Sequence, residues 1–560
     1  MALHSIFLFL RSWEWQPLKL NKEFTYEVAR QAYNSMLKGS IPMTRVLFKT
    51  GLVLFLITIA SKLLGFTREI LIAKNYGTSS LADAYYVALT PTMLAITFSF
   101  TLSSVFLPLF VNFASDKRKS NLFTNNVLFL FFAIFIVAYT LVIVFTQHFI
   151  HLLAPGLTEE AEAMAITLVR ILFPLVFIVI AIQIYTLMLN TFHDYMASAA
   201  SILPNNLIII AYLWLFADKY GIVGVAVTTL VSYVLQLVIL YFLIKGHHYK
   251  VVRNVELWSS NSKTFLLLLY PILISSGFTQ FNSVVDRILA SGISEGAIAA
   301  LSYAFNLRGI ATGICITPVI TLTFPELSRL SHNQDYEKVS TLTHNSLFSL
   351  FILLMPLTVI FMSFSHVIVQ TLLERGSFDA QATAMTSAIF WAYSIGIIAI
   401  GFREVTLRAF YSYGDTKTPT YIMISGTLVN IVLSFILVKT MGIIGLGLSA
   451  SMAFIITAVI TAILLRKKQA SVWSKDFIRK MMKLSVAMGG CGLVIYLLKL
   501  VHVFGSLFVM NAFYTVIGLS LYTLFAYFIF IVLLLVMKEN DIIILMKKLL
   551  FQRKKEMKLG

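Results

Sequence analysis

Residues 61–88 read SKLLGFTREILIAKNYGTSSLADAYYVA. Arg68 and Glu69 stand inside an apolar helical run, the chain turns at Asn75-Tyr76-Gly77, and a second apolar run carries Asp83 near its start. An ionised side chain at the centre of a bilayer costs roughly 2.5–3.5 kcal/mol on insertion scales, so such residues face a partner or a water-filled cavity. Two acids and a guanidinium this close together in apolar sequence point to a polar pathway through a membrane. The competing reading is that Arg68 and Glu69 merely neutralise each other near a helix end.

The rest of the chain sets the class. Of 560 residues, 59% are hydrophobic and only 12% charged, with a mean hydropathy of +0.86. Soluble domains average about 25% charged residues. Repeated apolar runs of about 20 residues each suffice to cross the hydrocarbon as helices, so an all-α polytopic membrane protein is expected. A net charge of +18 would suggest nucleic acid in a soluble protein. Here the basic residues lie in loops and tails, where membrane topology accounts for them, and no nucleic-acid partner is expected. The two cysteines, Cys315 and Cys491, sit in apolar runs with neither metal-ligand spacing nor a disulfide framework, so no metal is expected.

About fourteen spans are expected, near 48–74, 82–112, 123–149, 163–191, 198–217, 221–245, 264–291, 295–324, 344–364, 382–411, 419–438, 442–465, 481–503 and 511–537. Connections after even-numbered spans are basic: Lys117-Arg118-Lys119, Lys250 with Arg253, Arg329 with Lys338, Lys417, and Arg466-Lys467-Lys468. Beyond the last span come Lys547, Lys548, Arg553, Lys554 and Lys555. Odd-numbered connections carry His151, Glu159, Glu160 and Ser294-Glu295, with Lys74 and Arg375 as exceptions. Short cytoplasmic loops are rich in Lys and Arg, which puts both termini in the cytoplasm. Residues 1–45 read as a cytoplasmic tail, or as the product of a start codon placed upstream of a true start near Met36 or Met43.

An internal repeat accompanies the spans. Arg68-Glu69-Ile70-Leu71 in the first matches Asp286-Arg287-Ile288-Leu289 in the seventh, and Ile70 stands as far from Tyr85 as Ile288 from Tyr303. Two related six-span halves, with a substrate site between them at mid-membrane, are a common transporter construction.

No hydrolase elbow, P-loop, zinc spacing or dinucleotide loop appears, so the chain does not read as an enzyme. What remains is a set of membrane-embedded charges: Arg68, Glu69 and Asp83 in the first half, Asp286, Arg287 and Arg308 in the second. Arginine forks match phosphate oxygens and stay charged at any physiological pH, so a cavity they line suits an anion such as a pyrophosphate head group. The acids would keep the arginines oriented or be exchanged against the substrate. Asn190, Asn206, Asn282, Asn306 and Asn430 offer hydrogen bonds to sugars, or glue helices together. Arg403, Glu404 and Arg408, late in the tenth span, read equally as cavity charges or as interfacial charges snorkelling to head groups.

These residues resemble a known family. Ser61-Lys62-Leu63-Leu64-Gly65-Phe66-Thr67-Arg68-Glu69, with Gly77 and Ala82-Asp83-Ala84-Tyr85, is similar to the first two helices of the MurJ (MviN-like) lipid II flippases, in the superfamily of multidrug, oligosaccharidyl-lipid and polysaccharide exporters. Leu189-Asn190-Thr191-Phe192, Val285-Asp286-Arg287, and the stretch from Arg408-Ala409-Phe410-Tyr411 through Gly414-Asp415-Thr416-Lys417-Thr418-Pro419 agree. The resemblance implies two six-helix lobes (46–246 and 262–466) around a cationic cavity, two last helices (480–538) forming a groove for the lipid tail, and a basic cytoplasmic tail (539–560). It further implies alternating access that carries undecaprenyl-pyrophosphate-linked peptidoglycan precursor across a bacterial inner membrane. No cofactor is implied beyond a coupling cation (Na+ or H+) or the membrane potential; cell-wall synthases are implied partners and the chain a monomer. By position, Arg68 and Asp83 match functional charges of the family.

The chain also departs from the pattern. Pro91-Thr92-Met93-Leu94-Ala95-Ile96 lacks the usual arginine pair, and Tyr303-Ala304-Phe305-Asn306 lacks an arginine that Arg308 follows two positions later. Arg287 and Arg308 are the candidates to replace the missing cations. Another polyprenyl-linked saccharide, for a capsule or exopolysaccharide, is the alternative substrate; a cation-coupled drug exporter is a weaker one.

Overall fold

The computed structural model describes residues 43–113, 116–247, 249–250, 260–468, 474–501 and 512–539. Apart from 43–45 and Glu539, the tails expected at 1–45 and 539–560 lie outside these residues, as does Arg253. The chain forms two compact units divided after Ile59, and everything below concerns the unit from Ala60 onward.

The described residues form helices and no strands. The first half holds α1 (Met43–Tyr76), α2 (Ser80–Ala88), α3 (Thr90–Phe113), α4 (Lys117–Val144), α5 (Thr146–Leu153), α6 (Glu159–Leu172), α7 (Leu175–Thr191), α8 (Tyr195–Ala200), α9 (Ile202–Leu215) and α10 (Ala217–Gly246). The second holds α11 (Ser260–Ser291), α12 (Ala297–Ala311), a π-helical turn (Thr312–Ile316), α13 (Thr317–His332), α14 (Tyr336–Leu373), α15 (Ala380–Ile395), α16 (Ile397–Ser412), α17 (Lys417–Met441) and α18 (Ile444–Lys468). Helices α19 (Lys475–Leu500) and α20 (Ala512–Val536) follow.

Eleven helical stretches among the described residues are long and apolar enough to cross a bilayer, or twelve with the bent pair α15–α16. That measure does not reach the expected count of about fourteen; α1 and α11 stand where the first and seventh spans are expected. The bend between α15 and α16 is 42° and falls at Gly396. Gly396 packs so close to α18 that a Cβ there would meet Ser451 Oγ at 2.8 Å, which gives the sharp step a packing reason.

Helix starts follow local chemistry. Ser79, Asp116, Thr158, Asp335, Asp379 and Ser474 accept backbone N–H groups of the first turns of α2, α4, α6, α14, α15 and α19. The Lys338 ammonium holds the Asp335 carboxyl below the usual carboxylate range. The two cations that break the loop-charge alternation sit at helix C-termini. Lys74 is in the last turn of α1, and Arg375 Nη2 donates to the Thr371 and Leu372 carbonyls that end α14. Positive charge is favoured at that end of the dipole.

Packing joins the helices into a large buried cluster across α2, α6, α12, α14 and α15, and a second one across α3, α4, α7, α10 and the start of α11. Helix α11 thus serves both halves. Phe265 near its start meets the rings of Phe123 and Phe131, while Asn282 and Asp286 near its end bond to α17. Helices α19 and α20 lie against α14, with Tyr522 on Phe364 at 4.7 Å and Tyr527 Oη donating to the Leu353 carbonyl.

Candidate functional site

Arg68 lies two turns before the end of α1, flanked by α2 and α9. Its Nη2 donates to Glu69 Oε1 at 2.9 Å, and Nη1 makes a longer contact of 3.5 Å to Asn206 Oδ1 on α9. The other carboxylate oxygen of Glu69 accepts the Tyr86 hydroxyl at 2.8 Å. Arg68 Nε is buried and has no hydrogen-bond partner among the described residues. The pair does neutralise itself in part, yet a sealed donor and a side chain still 26% exposed leave the guanidinium able to bind more.

Asp286 is the counterpart of Arg68 in the repeat, and the structure gives it a corresponding neighbour. Arg68 meets the fifth span of its half; Asp286 accepts Ser434 Oγ at 3.4 Å from the fifth span of the other. Asn282 donates to Asp286 at 3.3 Å, Asn430 donates to Asn282 at 2.7 Å, and Ser434 meets Ser449 at 2.8 Å. Asp286 is therefore held by amides and hydroxyls, and no ion pair joins it to an arginine among the described residues.

Arg287 turns the other way and leaves its own half. Nη1 donates to Thr90 Oγ1 at 2.5 Å, and Nη2 reaches Met93 Sδ at 3.5 Å, both on α3. That is the segment of the second span where the sequence lacks cations. Lys62, one and a half turns before Arg68, also reaches across, since a Cβ on Gly313 of the π-helical turn would lie 2.9 Å from its Nζ. Lys62 on α1 and Arg287 on α11 thus each reach an element of the opposite half.

Arg308, Arg403 and Arg408 form a separate group inside the second half. Arg308 stacks on Phe305 at 4.7 Å and Tyr393 at 4.4 Å, and shares Phe454 with Arg403. Glu404 binds Arg403 at 2.9 Å and lies 4.0 Å from Arg408, which stands over Phe324 and Tyr411. Asn306 is half-buried on α12 between these two groups in sequence.

Where odd-numbered connections meet, the halves are sewn together. Asp83, 3% exposed, accepts Gly296 N–H and Ala299 N–H at 2.7 Å each, capping α12 from the opposite half. Glu295 accepts Ser80 N–H at 2.9 Å, capping α2 in return. Tyr303 Oη donates to the Gly77 carbonyl at 3.0 Å, Ser377 N–H donates to the Lys74 carbonyl at 2.8 Å, and Gly156 N–H donates to Ser291 Oγ at 3.1 Å. Gly77 and Gly296 have φ of +53° and +78°, and a Cβ on either would strike backbone of the facing loop. The two halves are closed against each other on this face.

A family model described as lipid II flippase MurJ matches residues 72–516. The chain belongs to the MurJ family. A probable lipid II flippase MurJ of Rhizobium tropici is 28% identical over 456 residues, covering 79% of this chain and 85% of that protein. The lipid II flippase MurJ of Burkholderia cenocepacia is 26% identical over 441 residues, covering 75% and 84%. A solved lipid II flippase MurJ in an inward closed conformation aligns with a TM-score of 0.74 at 26% identity, covering 86% of this chain and 98% of that one. A multidrug resistance MATE family transporter in an inward-facing conformation aligns with a TM-score of 0.61 at 16% identity, covering 74% of this chain and 95% of that one, and shares the fold.

In this MurJ-family chain the predicted charges separate by the partners they find. Arg68 and Glu69 pair with each other and bond to α9 and α2, and Arg287 reaches α3 of the opposite half. Asp83 does not orient an arginine; both of its oxygens serve main-chain amides of α12. Asp286 accepts from Asn282 and Ser434 and makes no direct ion pair with an arginine among the described residues. Arg403, Glu404 and Arg408 interact with one another and with protein rings. Lys62 and Glu295 were passed over, the first as part of a motif and the second as a loop charge; Tyr86 and Tyr303 carried no polar signal at all. Among the described residues no group of three His, Cys, Asp or Glu side chains could hold a metal. The oxygens of Asp286, Asn430, Ser434 and Ser449 are of the hard type that suits a small cation.

Proposed function

We propose that this protein carries lipid II from the inner to the outer leaflet of a bacterial cell membrane by alternating access. The observation that carries the reading is the placement of Arg68 and Arg287: the guanidinium groups stand on equivalent helices of the two halves, Arg287 reaches Thr90 and Met93 of the other half, and we read both as lining one space beneath the seam at the odd-numbered connections. Two such forks suit the pyrophosphate that links sugar to polyprenol. Because the basic loops mark the opposite face as cytoplasmic, the closed seam is the outer one, the cavity loads from inside, and both termini are cytoplasmic. Rocking of the halves would then break the seam and present the head group outside.

The energy source we infer is the membrane potential or a cation gradient. One charge moved through 100 mV supplies about 2.3 kcal/mol, enough to bias two nearly balanced states. Asp286 with Asn430, Ser434 and Ser449 is where a coupling cation would be felt by the helices that move.

Complementation tests the reading. In a bacterium depleted of its own lipid II flippase, this chain should restore growth, and Arg68→Ala should remove the rescue while the protein still reaches the membrane. Growth supported equally by Arg68→Ala would overturn the model. The cation-poor second span favours one alternative, another polyprenyl-linked saccharide, which predicts good membrane expression without rescue.

A further inference from the structure

We infer that the second half contains its own anion site, formed by Arg308, Arg403 and Arg408, for a phosphate-type group on a lipid. These three guanidiniums come from two helices, α12 and α16, and only Glu404 pairs with any of them within 4.0 Å among the described residues. One carboxylate cannot neutralise three cations, and Asp286, the next acid to act on Arg308, is held by Asn282 and Ser434. Positive charge in excess inside apolar protein needs a counter-charge.

The donors are arranged to receive one. Arg308 uses its flat face on Phe305 and Tyr393, which leaves the N–H edge of the guanidinium for an acceptor, and it makes no hydrogen bond or ion pair among the described residues. Arg403 Nε and Arg408 Nε are buried donors without a hydrogen-bond partner among the described residues. Buried N–H groups left unpaired are rare in native proteins.

The site also has an approach. Ser328 and Ser412 lie one turn beyond Phe324 and Arg408 on α13 and α16, and together with Ser331, His332, Tyr413 and Gly414 they line a cavity of about 700 Å³ at the even-numbered, basic-loop face. Arg408 stands one turn from this polar cavity on α16, shares Glu404 with Arg403, and Arg403 in turn shares Phe454 with Arg308. The ring and carboxylate partners of these three arginines all belong to the second half, whereas the hydrogen-bond partners of Arg68 and Arg287 belong to the first. The anion could reach it from an acidic bilayer lipid or from the pyrophosphate of a polyprenyl substrate before it enters the central space. Only the second source rests on the function proposed above.

Binding, read directly, separates these sources. The full chain in neutral detergent is titrated with farnesyl pyrophosphate, with phosphatidylglycerol, and with farnesol as the uncharged control, and bound molecules are counted by native mass spectrometry. We expect two pyrophosphate sites in the unmodified protein. The double variant Arg403→Gln/Arg408→Gln should weaken one at least about tenfold and spare the other, and Arg68→Gln should do the reverse. The Lys/Lys double variant should recover part of the loss. A second place taken by phosphatidylglycerol but not by farnesyl pyrophosphate assigns the anion to bilayer lipid. A single site for either probe, insensitive to the Gln/Gln variant, overturns the inference and leaves the arginines a packing role. Should that variant fail to fold, Arg408→Gln alone, at a side chain 35% exposed, reads the same loss. Failure of complementation with two intact binding sites would count against the lipid II reading only.

Discussion

Asp83 and Glu295 are reciprocal caps: each acid accepts main-chain amides at the start of the helix that lies beside the other. Neither has a side-chain partner in this role. Together they tie α2 to α12 across the two halves, at the place where an outward-open state must come apart.

Asp83→Asn tests the strength of that tie. The amide keeps the shape but has one accepting oxygen and no charge, so one of two charge-assisted bonds is lost, each worth about 1.5–3 kcal/mol. We expect the closed state to lose about tenfold or more in population. Spin labels on the loops near residues 79 and 294 should report a longer distance; an unchanged distribution would remove Asp83 from the seam's energetics.

Gly296 and Gly292 make a matched pair of alanine substitutions. Gly296 has a φ of +78°, and its Cβ would strike the Thr78 carbonyl, whereas a Cβ on Gly292 meets nothing nearer than 3.7 Å. Gly296→Ala should cost about 1–3 kcal/mol, read as a lower thermal midpoint in detergent. Gly292→Ala should leave the midpoint within experimental scatter, and equal shifts for both would contradict the geometry.

Arg287 allows a rescue experiment. Arg287→Ala should cost most of the complementing activity, because the guanidinium against Thr90 and Met93 stands where the second span has no cation of its own. Adding Met93→Arg, whose side chain is 40% exposed at the same contact, should restore a measurable part. Rescue by Met93→Leu as well would show that bulk rather than charge matters.

Tyr86→Phe removes the hydroxyl that donates to Glu69 Oε2. A buried carboxylate oxygen left unpaired costs about 1–3 kcal/mol. The variant should lose stability in detergent and shift Arg68 in its ion pair with Glu69, visible as weaker binding of farnesyl pyrophosphate. Stability loss with binding intact would mean that Glu69 does not position Arg68.

Much of the architecture was legible because the membrane imposes few solutions. A shortage of charge, apolar runs of helix length and basic loops on alternate sides define the helices without any knowledge of their neighbours. The repeat around Arg68 and Asp286 was visible for the same reason, since spacing along one helix is a local property. Partners across long gaps were not. Asp83 reads as an intramembrane charge, and nothing near it announces that its partners are amides beside residue 296. Arg308 reads as an isolated cation until Tyr393 and Phe454, from α15 and α18, close around it. Helix Ser260–Ser291 reads as a member of the second half, although Phe265 packs in the core of the first.

The reciprocal caps have a consequence for how such a protein can change through evolution. Every residue carries a main-chain amide, so the receiving side of the Asp83 and Glu295 contacts cannot mutate in step with the acids. Correlated substitution, which exposes most side-chain contacts in a sequence family, is blind to this seam. A lineage that loses either acid has no compensating exchange available opposite it, and must either regain a carboxylate on the same turn or shift the balance of its two conformations.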